Sequence, residues 1–159
     1  MGVTTNAYSL EPKIIKKIRA DNENLAFILG DCEDESQHWK VESYDFDKGI
    51  ETYITMMREA GFVKTAKNID SEYADLDLFD YNDNDLWIIP PSQVKAMCKE
   101  LENVTFESLR AKNLSDITDR RGNPLNNDQL ESYLSDIDGI KAFFRKAMEK
   151  GHYLLFAEG

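Results

Sequence analysis

Residues 127–157 read NDQLESYLSDIDGIKAFFRKAMEKGHYLLFA, and this stretch decides the fold. Leu130, Tyr133, Leu134, Ile137, Ile140, Phe144, Ala147 and Met148 recur at helical spacing, so one apolar face runs along a helix from about Asn127 to Lys150. Lys141, Arg145, Lys146 and Lys150 load its last turns with positive charge, which suits the negative end of the helix dipole. Gly151 ends the helix. His152-Tyr153-Leu154-Leu155-Phe156-Ala157 then forms an apolar run of strand length, the pattern of a strand interior to a sheet. A helix with one apolar face beside such a strand predicts an α+β protein: one compact domain over residues 1–159, with a small mixed sheet, this long C-terminal helix and several shorter helices packed on the sheet. A chain of 159 residues suits one domain, and 42% hydrophobic and 11% aromatic residues supply a core.

Upstream, the segments fit that frame. Ser92 reads as the cap of a helix carrying Val94, Met97, Cys98 and Leu101 at i, i+3, i+4, i+7. Before it, Leu86-Trp87-Ile88-Ile89 is a short strand stopped by Pro90-Pro91. Thr105 starts a short helix through Leu109, and residues 119–124 are turn-rich. Asp45 or Asp47 opens a helix to about Ala60, with Ile50, Tyr53, Ile54, Met56, Met57 and Ala60 as its apolar set and Gly61 as its stop. Residues 25–29 are a short apolar segment stopped by Gly30. Residues 3–10 read as an opening strand, after which Ser9 caps a helix bearing Pro12, Ile14, Ile15 and Ile18. Residues 70–85, DSEYADLDLFDYNDND, read as an irregular loop or a sheet edge.

The net charge of -11 has a location. Residues 31–85 hold 16 of the 30 acids and 5 of the 19 basic residues, a deficit equal to that of the whole chain. Elsewhere acids and bases balance. Such a surface repels nucleic acid and anionic lipid and attracts a basic partner. Acidity also serves solubility with no ligand at all. No apolar run approaches the ~20 residues of a membrane helix. The first residues, MGVTTNAYSLEPKIIKK, contain no basic region ahead of an apolar stretch, and Asn6 breaks a myristoylation pattern. Two cysteines are few for a secreted scaffold, so cytoplasm is the expected compartment. Cys98 sits on an apolar helix face, and Cys32 lies among carboxylates that disfavour a thiolate.

Chemical motifs fail one by one. The glycines follow helices, so none builds a phosphate loop. Cys32 and His38 find no second pair that would complete a zinc site. Asp80, Asn82 and Asn84 have the spacing that opens a calcium loop, but Asp85 stands at the required glycine and Pro91 at the required carboxylate. His38 and His152 are the only imidazoles, one before Trp39 in a polar loop and one opening the last strand. Neither has a catalytic partner in sequence, though triads assemble in space. No cofactor, metal or catalytic residue is assigned.

The order of these segments resembles a known family. Met1-Gly2 precedes a strand with Tyr8, and Asp45-Phe46-Asp47-Lys48 opens a helix. Pro91-Ser92-Gln93-Val94-Lys95 is followed by Leu101 and Leu109. Leu134 through Phe143-Phe144-Arg145-Lys146-Ala147 leads to Gly151 and an apolar strand. Over nearly the whole chain this is similar to the YfbM-like family of small bacterial proteins, a domain of unknown function. The resemblance implies a compact α+β domain and no known reaction. Relatives carry a D-x-D-K-x-W pattern, with a His four positions further in some. This chain has Ile50 and Ile54 there, so a site built on that Trp and His would be altered.

Two functions are therefore expected, in order. The first is a non-catalytic module that binds a basic protein through Trp39, Tyr44, Asp45, Asp47, Tyr73, Asp75, Asp77, Phe79, Asp80 and Tyr81, as an immunity protein against an antibacterial toxin would. The second is an enzyme or small-molecule binder with a pocket near the Asp45-Asp47-Lys48 helix start, where His38 and Trp39 lie just upstream. The bland account of that helix start is a cap with Ile50 and Ile54 packed as core.

Overall fold

Tyr153-Leu154-Leu155-Phe156-Ala157 is apolar at both parities, so a strand built from it has two faces to cover. The computed structural model describes residues 4–29, 39–47, 49–70, 78–81, 84–112, 117–119 and 121–159, with the side chains of residues 78–80 left aside. The acidic loop 31–37, with Cys32 and His38, lies outside them, as does Lys48. In chain order the elements are β1 (Thr5–Leu10), α1 (Pro12–Ala20), α2 (Ala26–Leu29), β2 (Glu42–Asp47), α3 (Ile50–Glu59) and α4 (Val63–Asn68). They continue with β3 (Leu78–Tyr81), β4 (Asn84–Ile89), α5 (Pro91–Leu101), α6 (Phe106–Arg110), α7 (Asn127–Ser135), α8 (Ile137–Glu149) and β5 (Tyr153–Glu158). Among the described residues the strands form one sheet in the order β2-β1-β5-β4-β3. The last strand is thus the central one, as its composition requires.

Every described strand pair is antiparallel. The expectation of a mixed sheet is corrected on that point, while the α+β class and the single layer of strands stand. Tyr81 of β3 pairs with Asn84 of β4 only three positions on, and β5 runs opposite to both of its neighbours, β1 and β4.

Alternation along the strands splits the apolar residues between two cores. Ala7, Phe46, Trp87, Ile89, Leu154 and Phe156 face the larger one, built with α3 through α8. Leu10, Leu86, Ile88, Leu155 and Ala157 face the smaller one, closed by Ile15 and Ile18 of α1 and by Leu25. Trp87 and Phe156 stack at the middle of the larger core, with ring centroids 5.2 Å apart. The Trp87 indole N–H donates to the Asn68 carbonyl oxygen at 3.0 Å, so its one polar group is satisfied while buried.

Several helix starts differ from the sequence reading. Ser9 stays in β1, and α1 begins after Glu11 with Pro12 in its first turn. Neither Asp45 nor Asp47 caps α3; Gly49 holds that position without a side-chain bond. Pro90, not Ser92, precedes α5. Proline at the first helical position explains both proline starts, because it fixes φ where an N–H has no partner anyway. Thr105 does cap α6, in a reciprocal box with Ser108. The long C-terminal helix is two helices. At Asp136 the backbone N–H reaches the Tyr133 carbonyl oxygen, one residue short of α-helical spacing, and the ladder restarts with Ile140 on Asp136. Gly151 ends α8 at φ +67, in the left-handed region that glycine adopts without steric cost.

Truncating Phe156 to Ala empties the centre of the larger core and is expected to cost about 3–5 kcal/mol. Val63, 63% exposed, should lose under about 0.5 kcal/mol on truncation to Ala. Urea unfolding of both variants, with an unchanged m-value, checks the contrast.

Candidate functional site

Strand register brings together acids that are far apart in sequence. Thr5 on β1 pairs with Asp47 on β2 and with Glu158 on β5. Glu158 pairs with Asp85 on β4, and Asp85 with Asp80 on β3. One cross-strand row therefore reads Asp47, Thr5, Glu158, Asp85, Asp80 across all five strands. With strands ~4.8 Å apart the row is about 19 Å long. The register thus sets Asp85 directly opposite Glu158 inside the sheet. Thr5 is fully buried in this row, and its hydroxyl has no hydrogen-bond partner among the described residues.

The turn after β2 is the second feature. The Asp47 backbone N–H donates to an Asp45 carboxylate oxygen at 2.6 Å, and Asp47 takes φ +50, a conformation that Asp tolerates better than most residues. Register between β1 and β2 shifts at this point. Both carboxylates are exposed, while Phe46 between them is buried against Tyr53 and Phe156. Behind the turn, Gly49 packs so closely that a Cβ there would lie 2.8 Å from Cε1 of Tyr133. That point is filled rather than concave.

Below it lies a cluster of tyrosines. The Tyr53 hydroxyl donates to Oδ2 of Asp136 at 2.6 Å. Tyr53 also meets the Tyr133 ring edge to face at 5.1 Å. Burial and then the Asp136 hydrogen bond hold the Tyr53 phenol protonated far above its usual range. Burial, helped by Asp136, raises Tyr44 as well. Asp136 is the residue at which the C-terminal helix breaks, so its carboxylate serves Tyr53 instead of capping α8.

The sequence-predicted binding residues separate. Tyr44 packs into the larger core against Phe46 and Phe143. Trp39 lies by the smaller core, stacked on Phe27 at 5.1 Å with the Lys17 ammonium 5.4 Å from its ring centre. Tyr81 also packs on that side, but at the far edge of the sheet from β2. Phe79 and Asp80 sit in β3. Tyr73, Asp75 and Asp77 lie outside the described residues. Of the ten, Asp47 and Asp80 share the carboxylate row. Asp85 and Glu158 belong to it and were missed: Glu158 stands outside the acidic segment and Asp85 inside it, and only strand pairing places both in the row. Among the described residues no group of three metal-ligand side chains converges, and no helix is long and apolar enough to cross a membrane.

The family described as Domain of unknown function (DUF1877) matches residues 1–157. The chain belongs to this family. Across its whole length it is also similar in fold to a solved structure, a protein of unknown function, YfbM from Escherichia coli. That likeness has a TM-score of 0.60 at 16% identity and covers 98% of this chain and 99% of that one. No curated protein matches. In this DUF1877 member, Ile50 and Ile54 are 6% and 8% exposed and belong to the larger core. The positions that carry Trp and His in the resembling pattern thus face inward here.

One pairing in this DUF1877 chain escaped sequence reasoning altogether. Ser9 and Nδ1 of His152 lie 2.9 Å apart at the opposite end of the sheet, 143 residues apart in sequence. Nearby, Lys150 donates to a Glu42 carboxylate oxygen at 3.1 Å. Burial, then the Lys150 charge, lowers the His152 pKa, while Glu11 and Glu42 oppose the shift. Cys98 is half-buried, and burial pushes its thiol up, away from nucleophile chemistry.

Two pH effects follow from linkage. Tyr53 is raised in the folded state, so its contribution is full below the ordinary tyrosine value of about 10 and is lost as pH climbs beyond it. Alkaline melts should show this loss, and Tyr53→Phe should remove part of it while costing about 1–3 kcal/mol near neutrality. His152 is lowered, so its contribution is full above about 6.5 and fades as pH falls below that value. Thermal midpoints of wild type and His152→Asn should converge as pH drops through this range.

Proposed function

We propose that the chain is a non-catalytic protein-binding module whose acidic surface engages a basic protein partner in the cytoplasm, in the manner of an immunity protein or inhibitor of an antibacterial toxin. The carboxylate row carries this reading. Four strands bring acids to one line, and a basic partner laid along the row would meet all four. The residues flanking the row continue its sign, since the acid-rich segment 31–85 contains both edge strands, β2 and β3. A field of one sign also speeds encounter with a basic protein. The alternative, a pocket beside Asp45, Asp47 and Lys48, draws less support, because both aspartates are exposed and Tyr133 fills the space behind Gly49.

A pull-down from the native host at low and high salt tests the proposal. A basic protein should be retained at low salt and released at high salt. Asp47→Asn, Asp85→Asn and Glu158→Gln combined should weaken its capture about tenfold or more, chiefly through slower association. Recovery of no partner at either salt concentration sinks the reading.

A further inference from the structure

The helices α3 and α4 meet in a cleft of about 460 Å³, lined among the described residues by Arg58, Val63, Ala66 and Lys67. That volume lies within the range of small-ligand pockets. Its chemistry is opposite to that of the carboxylate row. Residues 58–67 hold three of the five basic residues of segment 31–85, Arg58, Lys64 and Lys67, against one acid, Glu59. Val63 is the only large hydrophobic side chain exposed among the described residues, at 63%, and it stands at this cleft. Ala66 beside it is buried and forms an apolar floor.

Two acids beside the cleft have partners of their own. Glu100 on α5 accepts from the backbone N–H groups of Lys64 and Thr65 and from the Thr65 hydroxyl, at 3.1, 2.8 and 2.7 Å. It closes the start of α4 and anchors that helix to the body. Asp70 lies 3.6 Å from the Arg58 guanidinium and holds it at the cleft, with the Arg58 side chain still 55% exposed. Lys112 adds a further cation on the neighbouring turn, where it donates to the Ala60 carbonyl oxygen at 3.1 Å. The cleft therefore offers an apolar floor and wall between Lys67 and Arg58, the latter held in place by Asp70.

We propose that this cleft binds a small amphiphilic carboxylate, its head between Arg58 and Lys67 and its apolar body over Val63 and Ala66. Cations at the rim supply charge-assisted hydrogen bonds to the head. The body covers the Val63 surface that now meets water. The site is independent of the acidic face, so either proposal can fail alone.

Titration of the full chain with octanoate, followed by methyl NMR, tests it. Val63 and Ala66 methyl resonances should shift saturably. Acetate, which has the head without the body, and octylammonium, which reverses the charge, should leave them in place. Lys67→Gln should weaken octanoate about fivefold, the most an exposed ion pair commonly contributes. Val63→Asp should abolish the shift at Ala66, and both variants sit on exposed positions where folding is untouched. Neutralising Asp47, Asp85 and Glu158 should leave octanoate binding unchanged. Equal shifts from octylammonium, undiminished binding by Lys67→Gln, or no saturable shift would each overturn the proposal.

Discussion

The stack of Trp87 on Phe156 joins β4 to β5 at the centre of the larger core, and the rest of the fold follows from the strands that carry it. Both strands are apolar at successive positions, so both of their faces exclude water. Helices must then lie on each side. The larger side takes α3 through α8, and the smaller takes α1 and the short turns after it. Once the apolar strands claim the middle, the polar β2 has only an edge. β2, with Glu42, Asp45 and Asp47, ends one side of the sheet; β3, with Asp80, ends the other. Charged side chains on edge strands also discourage a second sheet from adding there.

What could be read from sequence tracks how local each signal is. The β5 strand was legible because both parities of five consecutive residues are apolar. The face of the C-terminal helices was legible because its period continues straight across Asp136. The break itself was not: it falls at Asp136, whose carboxylate meets Tyr53, 83 residues away. Caps divided in the same way. Thr105 was found from its own three-residue context, whereas Ser9 and Ser92 were misplaced because proline set the helix starts instead. α4 went unread because six residues give too short a window for periodicity, and its start is held by Glu100 from another helix.

The candidate sites sit at the far end of that scale. Charge confinement to 31–85 is a property of composition and was plain. Its arrangement is a property of register, and register belongs to pairs of strands rather than to either one. Asp47, Asp80, Asp85 and Glu158 are spread over more than a hundred positions, yet one row of pairing aligns them. The aromatic residues chosen with them went elsewhere for an equally physical reason. Tyr44 alternates inward on β2, so the strand's own pleat sends it into the core while Asp45 points away.

Edge protection and the proposed binding surface make different demands on these acids. As edge protection, the acids need only be charged and exposed, and their exact positions across the sheet are indifferent. Acids at β2 and β3 alone would satisfy that demand. Asp85 and Glu158 are not on edge strands; they stand on β4 and β5, inside the sheet, directly opposite one another. Edge protection gives no reason for a carboxylate pair there. The interior pair, rather than the larger number of acids on the edges, is therefore what edge protection leaves unaccounted for.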